Sequence, residues 1–316
     1  MHDFFKKHAL LHKKIALGLS GGPDSVFLLS QLAPLHHAGD ISLIAIHIDH
    51  QWRKDSYKDL LFCKELAADY NIPFIGVQAS EISVTKKHNG SLEESGRILR
   101  RTFFDSLIKN GIADYIALAH HYNDQQETFF IRMIRGTSIS GLACMKEING
   151  FYIRPLLHMH KTEILTYLKK SSIPFMTDYT NESTQFLRNR IRNQLIPSLH
   201  IIDTRFDTQF ANLLAHVQSV DDFIKKEAYA FLSKMKLNKI NNILIEIDAL
   251  NQVHQVLKQA IIIEWLCKSG VSFSLSQALI HEIDRFLKNK NSKNKHTLYH
   301  QWIIHKNNTH TWISKI

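Results

Sequence analysis

Ser20-Gly21-Gly22-Pro23-Asp24-Ser25 stands between an apolar run, Ile15-Ala16-Leu17-Gly18-Leu19, and an amphipathic one, Val26 to Leu35. That order predicts a Gly-rich turn joining a buried strand to a helix N-terminus. Free backbone N–H groups and the positive end of the helix dipole converge at such a turn and gather phosphate oxygens. Gly21 and Gly22 allow backbone conformations that a Cβ forbids, and let an anion approach the chain closely. Asp24 and Ser25 fall where the helix takes its cap, and where a carboxylate can hold a phosphate-bound Mg2+ ion. No Lys-Ser/Thr pair follows the glycines, so the loop is not a Walker A motif. A Gly-Gly pair alone reads equally well as an ordinary strand-to-helix turn with an Asp cap; the whole hexapeptide favours the phosphate cradle.

Working outward, strands alternate with helices. Strands are predicted at Lys14–Leu19, Ser42–Asp49, Phe74–Val77 and Tyr115–Ala119, and helices at Asp24–Leu35, Ser56–Tyr70, Ser91–Lys109 and Asn123–Arg135. The second strand is almost continuously apolar, as a strand buried on both faces must be. The alternation predicts an α/β fold, a doubly wound parallel sheet whose ligands bind beyond the carboxyl ends of the strands. After Asp203 the pattern changes. Phe206, Phe210, Leu213, Val217, Val220 and Ile224 form one stripe of a long helix. Helices at Val253–Lys268 and Ser274–Leu287 follow, then two strand-like runs around Lys306-Asn307-Asn308-Thr309, a hairpin turn. The expected organisation is a catalytic domain over 1–203, a linker helix over 204–235 and a small α+β domain over 236–316.

The chain has 316 residues with 39 Lys and Arg against 29 Asp and Glu, a formal charge of +10 that points to a polyanionic partner. Nucleic acid fits better than membrane, since no apolar run approaches the ~20 residues needed to span. The N-terminal lysines precede no signal-peptide core, and a cytoplasmic location is expected. Three scattered cysteines, with no Cys-x-x-Cys, exclude a disulfide framework and a zinc ribbon. Twenty histidines include no His-Glu-x-x-His.

Three further clusters carry chemistry. His47-Ile48-Asp49-His50-Gln51-Trp52-Arg53 ends the second strand, where His47 and Asp49 can meet the adenine and ribose of a nucleotide, or serve as caps and loop contacts. On the third helix Glu94, Arg97 and Arg101 share a face with Arg100 beside them, which alone reads as a solvated ion-pair ladder. Ala119-His120-His121-Tyr122-Asn123-Asp124-Gln125-Gln126-Glu127 follows the fourth strand. Asp124 and Glu127 lie three residues apart on a first helical turn, so two carboxylates beside histidines can grip a cationic amine and take up its proton. Acidic residues also favour helix N-termini for purely structural reasons.

Ser-Gly-Gly-x-Asp-Ser resembles the pyrophosphate-binding loop of the ATP pyrophosphatase superfamily, which cleaves ATP between the α and β phosphates and adenylates a substrate oxygen. Within it the chain is similar to the tRNA(Ile)-lysidine synthetases. The resemblance runs through His47-Ile48-Asp49-His50-x-x-Arg53, where the family has Leu at Trp52. It continues through Glu93-x-x-Gly96-Arg97-x-x-Arg100-Arg101, where Gly96 replaces Ala and Arg101 replaces Tyr. His120-His121-x-x-Asp124-Gln125-x-Glu127-Thr128 follows, with Asn123 at a usual Asp. Arg154-Pro155-Leu156-Leu157, Lys161-x-Glu163-Ile164, Asp178, Asn181 and Arg188-Asn189-Arg190-Ile191-Arg192 complete it.

The resemblance implies ATP and Mg2+ as cofactors, with ATP on Ser20, Gly21, Gly22, Pro23, Asp24, Ser25, His47 and Asp49 and the metal on Asp24. It implies free L-lysine held by Asp124, Glu127 and His120, and a catalytic group of Asp124, Glu127, Arg97, Arg100 and His121. Which of His120 and His121 faces substrate stays open. The RNA partner would be a tRNA(Ile) with a CAU anticodon, met by Arg188, Arg190, Arg192, Lys288 and Lys290; a homodimer is left open. Two rivals share the architecture. A tRNA thiolase needs paired or suitably placed cysteines, and Cys63 and Cys144 lie outside any such motif. A non-enzymatic nucleotide-binding protein needs neither the Asp124–Glu127 pair nor a basic tail.

Overall fold

The computed structural model describes residues 1–53, 55–82, 92–176, 186–237, 242–271, 276–289, 294–298 and 301–315. They divide into two units, 1–134 with 144–206, and 135–143 with 207–316.

The first unit starts with α1 (His2–Lys7) and continues as β1 (Lys14–Gly18), α2 (Pro23–His37), β2 (Ser42–Asp49), α3 (Tyr57–Asp69), β3 (Phe74–Gln78), α4 (Leu92–Lys109), β4 (Tyr115–Ala117) and α5 (Tyr122–Arg135). After α6 (Ile139–Leu142) the chain forms β5 (Ile148–Asn149), β6 (Tyr152–Ile153), α7 (Lys161–Lys170), α8 (Leu187–Arg190) and α9 (Ile196–Ile202). The sheet order is β3-β2-β1-β4-β6-β5, parallel throughout except for the antiparallel edge pair β5–β6. The predicted strand–helix alternation is therefore present, with boundaries shifted by one or two residues. The short β5–β6 hairpin and α1 were not legible in the periodicity.

Burial follows the period of two. Ile15 and Leu17 of β1, with Leu43 and Ala45 of β2, pack against α2, α3 and α7. Ala16, Ile46 and Ile48 turn the other way and pack with Phe104 and Leu107 of α4. Both faces are covered, so β2 can hold no alternating polar residues until its carboxyl end. Strand order reverses at β1, with β2 on one side and β4 on the other. That is the switch point of a doubly wound sheet, where the loops after β1 and β4 part to leave a crevice.

The second unit contains α10 (Phe206–Ser233), β7 (Lys236–Leu237), β8 (Ile243–Glu246), α11 (Ile247–Gln252), α12 (Gln255–Lys268), α13 (Gln277–Lys288), β9 (Lys295–Leu298), β10 (Trp302–Lys306) and β11 (His310–Lys315). Its strands form an antiparallel sheet ordered β7-β8-β11-β10-β9. The hairpin expected around Lys306–Thr309 joins β10 to β11. Helix α10, expected as a separate linker, groups with this unit, and so does the segment 135–143. Ser140 there donates a 2.5 Å hydrogen bond to the buried Asp221 of α10, which also pairs with Lys225 at 2.8 Å. A buried Lys258–Asp284 pair, 2.7 Å, joins α12 to α13. Among the described residues no helix is long and apolar enough to cross a membrane.

Candidate functional site

The loop after β1 is built around a closed set of serine contacts. Ser25 Oγ accepts from the Ser20 backbone N–H at 3.1 Å, donates to the Gly22 carbonyl at 3.0 Å and lies 3.1 Å from Ser20 Oγ. The helix begins at Pro23, with Gly22 as its N-cap. This corrects the expectation that Asp24 and Ser25 cap it: proline, lacking an N–H, suits the first helical position and pushes both into the first turn. Gly21 has φ +82°, and a Cβ there would lie 3.3 Å from Cys63 Sγ, Met176 Sδ and Phe62 Cδ1. Its carbonyl accepts from the Met176 N–H at 2.9 Å. The loop is thus held from both sides while its outer face stays open.

Across the crevice, the turn after β4 supplies acids and histidines. His121 Nε2 stands 3.7 Å from Asp24 Oδ1 and 3.5 Å from Asp124 Oδ2. The two motifs, a hundred residues apart in sequence, therefore meet at the switch point. Asp24 Oδ1 also holds Lys161 Nζ at 2.5 Å. The backbone N–H of Lys161 donates to Asn123 Oδ1 at 3.0 Å, so the residue replacing the family's Asp holds the start of α7 against α5.

Asp124 and Glu127 are buried, Glu127 completely. Arg188 donates Nη2 to Asp124 Oδ1 at 2.7 Å and Nε to Glu127 Oε2 at 2.6 Å. Arg192 donates Nε to Glu127 Oε1 at 2.5 Å and Nη2 to Oε2 at 3.1 Å. The expected RNA-binding arginines therefore divide. Arg188 and Arg192 turn inward to the carboxylates, while Arg190 is exposed beside Leu187, Ile191 and Gln194. A π-helical turn at Ile191–Leu195 accompanies this arrangement, a feature common at functional sites.

Electrostatics follow from this packing. Burial favours the protonated acid at Asp124, but His121, Arg188 and His120, with the His121 backbone N–H, outweigh it and hold the carboxyl below its ordinary range. Burial pulls His120 down to about 4; Asp124 opposes the shift, and Arg154, Arg188 and Arg100 reinforce it. His120 is therefore neutral near pH 7. The Nδ1 atoms of His120 and His121 are buried with no protein partner. Buried ring nitrogens without a partner are rare and suit a polar ligand.

At the end of β2, His47 Nδ1 lies 2.9 Å from the Leu19 carbonyl, which can only accept, so Nδ1 is the donor there. Asp49 Oδ1 accepts from the Gln51 N–H at 2.8 Å. Both residues are buried. On α4, Arg97 donates Nε and Nη2 to Glu94 at 2.9 and 2.7 Å on an exposed surface. Arg100 differs: its charge acts on both His50 and His120. In the second unit Lys288 pairs with Asp284 at 2.8 Å, and Lys290 lies outside the described residues, as do Asp178 and Asn181.

Sequence reading missed the Lys161–Asp24 pair and the clamp of Arg188 and Arg192 on the carboxylates. All three cations sit in stretches already singled out, but spacing along the chain cannot reveal which acid a distant cation reaches. The cysteines are chemically quiet: burial pushes Cys63 up to about 12 and Cys144 up to about 11.

Comparison with known proteins gives a consistent result. Residues 1–199 match the PP-loop domain family. The chain is 34% identical over 267 residues to the tRNA(Ile)-lysidine synthase of Clostridium perfringens, covering 82% of this chain and 56% of the relative. It is 29% identical over 297 residues to that of Bacillus cereus, covering 90% and 62%. The chain thus spans little more than half the length of these curated relatives. Among solved structures, the U34-tRNA thiolase NcsA from Methanococcus maripaludis, with its 4Fe-4S cluster, matches with a TM-score of 0.58 at 17% identity, over 69% of this chain and 77% of that one. At that identity the likeness speaks for the fold.

Proposed function

The chain belongs to the PP-loop domain family, and on that premise we propose that it is a cytoplasmic, ATP-dependent tRNA(Ile)-lysidine synthase. It would join free L-lysine to carbon 2 of the wobble cytidine in a CAU anticodon. The observation that carries this reading is the meeting of the Ser20–Ser25 loop with the buried acids of α5, through Asp24, His121 and Asp124. A nucleotide-binding protein without chemistry has no need of that junction.

The loop and the start of α2 hold the ATP phosphates, with His47 and Asp49 on the nucleoside side. Asp24 suits Mg2+: it offers a partly exposed hard oxygen donor beside the loop, already facing a cation, Lys161. Magnesium ordinarily takes one or two carboxylates plus substrate phosphates, so no larger acidic cluster is needed. When bound it neutralises phosphate charge. The cytidine O2 attacks the α phosphorus and pyrophosphate leaves, which activates carbon 2. The lysine amine then adds at carbon 2, loses its proton, and AMP departs with the former O2.

Asp124 and Glu127 attract the lysine ammonium. Arg188 and Arg192, each roughly a third exposed, hold those carboxylates in place until lysine shares them, and Arg100 would neutralise developing negative charge. Alignment of the three substrates supplies most of the acceleration. His120, kept neutral by burial, offers an uncharged ring that does not repel the ammonium.

The test is purified protein with labelled lysine, ATP and anticodon variants of the tRNA, followed by nucleoside analysis. AMP, pyrophosphate and a lysine-bearing nucleoside from the CAU anticodon are expected. ADP with orthophosphate, or turnover without RNA, overturns the reading.

A further inference from the structure

We propose that Trp52 is a stacking platform for an unpaired nucleobase of the RNA substrate, an inference that rests on the tRNA-modifying reading above. Trp52 is 49% exposed, unusual for so large an aromatic ring that has packing partners within reach. One face is already filled: His50 stacks on it with ring centroids 4.6 Å apart and planes 18° from parallel. Burial, with Arg100 and His47, pulls His50 down to about 4 against the pull of Asp49, so the supporting ring is uncharged.

The ring is placed rather than loose. Gln51 adopts φ +57°, a left-handed conformation unusual outside glycine. It is tied by hydrogen bonds to Asp49 at 2.8 Å, Gln78 at 3.2 Å and the Ser80 N–H at 3.2 Å. That turn carries Trp52 over α4 at Gly96, where a Cβ would come within 2.7 Å of Cη2 and 2.8 Å of Cζ2. Any side chain at position 96 would make the indole shift from this place. The two departures from the family pattern, Trp for Leu and Gly for Ala, are therefore one device.

Location gives the ligand. Trp52 follows β2, the strand paired with β1, so this platform stands at the carboxyl end of the sheet beside the Ser20–Ser25 loop, with exposed Arg53 next to it, paired with Asp59, and exposed Arg97 next to Gly96, paired with Glu94. A half-exposed indole beside arginines that can exchange a carboxylate for a phosphate is the chemistry that receives a splayed RNA base above its phosphate chain.

The experiment measures affinity for an anticodon stem-loop, the KM for tRNA and the KM for ATP in W52F, W52L, W52A and G96A. W52L and W52A should weaken RNA binding roughly five- to 150-fold, the range one stacked base supplies, while W52F stays within about threefold of the parent. The KM for ATP should not move. G96A, which displaces the ring, should lose RNA affinity as W52L does. The stem-loop, but not ATP, should quench tryptophan fluorescence in the parent and not in W52F. Unchanged RNA affinity in W52A reduces the ring to packing and overturns the proposal. A rise confined to the KM for ATP assigns it to adenine and overturns it likewise. If the parent protein binds and modifies no RNA, the tRNA reading itself falls; if the parent modifies RNA and W52A does so equally well, only this inference falls.

Discussion

Arg192 and Glu127 form a charge-assisted pair, Nε to Oε1 at 2.5 Å, around a carboxylate with no exposure to solvent. Arg188 takes its other oxygen at 2.6 Å. One buried carboxylate thus receives two guanidinium groups from a segment sixty residues further on, which fixes its position inside the crevice.

That geometry predicts an asymmetry. Removing both arginines leaves a buried carboxylate unpaired, which costs several kcal/mol in a dry site; because the guanidinium groups are partly solvated, about 2–3 kcal/mol is expected. Glu127→Gln keeps the shape and leaves two cations that water can reach, costing about 1–2 kcal/mol. Urea denaturation of R188A/R192A beside E127Q checks the order. A larger loss in E127Q would show that the arginines do not serve the carboxylate.

Asp124→Asn separates fold from chemistry. The amide has one acceptor oxygen, so it keeps either the His121 N–H, now 3.0 Å from Oδ2, or Arg188 Nη2, now 2.7 Å from Oδ1, and a loss of about 1–2 kcal/mol is expected with the fold intact. Lysine-dependent AMP formation should drop by roughly 10²-fold or more as the anionic amine site and proton acceptor are lost. Unchanged AMP formation with tRNA and lysine would remove Asp124 from the reaction.

His120 gives a pH signature. Its folded value of about 4 lies below the ordinary 6.5, so between those values the unfolded chain binds a proton that the folded one refuses. Stability should therefore fall as pH drops from about 6.5 to about 4, by an amount on the order of 3 kcal/mol. Asp124, with its depressed carboxyl, adds stability above the ordinary carboxylate range that is lost as pH falls through its folded value. His120→Gln should flatten the slope between pH 6.5 and 4. Denaturation midpoints across that range measure it, and an equal slope in both proteins would show that His120 is not held neutral.

The fold was legible because β1 and β2 are covered on both faces and the Ser20–Ser25, His47–Arg53 and His120–Glu127 motifs each stand at the end of a strand. The meeting of Asp24 and His121 follows once β1 and β4 are known to be neighbours. What could not be read is pairing at a distance. Arg188-Asn189-Arg190-Ile191-Arg192 looks like one basic ladder, yet a π-helical turn accompanies the split that sends two arginines inward and one out. Trp52 and Gly96 likewise look like two unrelated departures until the chain folds one over the other. β5 and β6, two residues each, are too short for any periodicity to announce.

Gly21→Ala tests the loop directly. At φ +82° a side chain is strained by roughly 1–2 kcal/mol, and its Cβ would press on Cys63, Met176 and Phe62 at 3.3 Å. The neighbours are flexible or sulfur-bearing, so the protein should fold with a modestly lower Tm. The loop would shift, and the KM for ATP should rise by roughly tenfold or more as phosphate contacts misalign. A variant with parental KM for ATP would detach the loop from nucleotide binding.

The division of the arginines also predicts how RNA affinity responds to salt. Each phosphate neutralised by a free cation contributes roughly 0.7–0.9 to the slope of log affinity against log salt. Arg190 is exposed and Lys288 keeps half its side chain in solvent despite Asp284, so each is free to meet a phosphate. R190A and K288A should therefore weaken tRNA binding across all sequences and lower the slope by about one phosphate each. Arg188 and Arg192 already neutralise buried acids, and their removal should leave the slope unchanged while disturbing catalysis. Filter binding between low and moderate salt distinguishes the cases. A slope reduced in R188A would mean that the guanidinium leaves Glu127 for the RNA when the complex forms; a flat profile in the parent would take Lys288 and its unit out of tRNA binding.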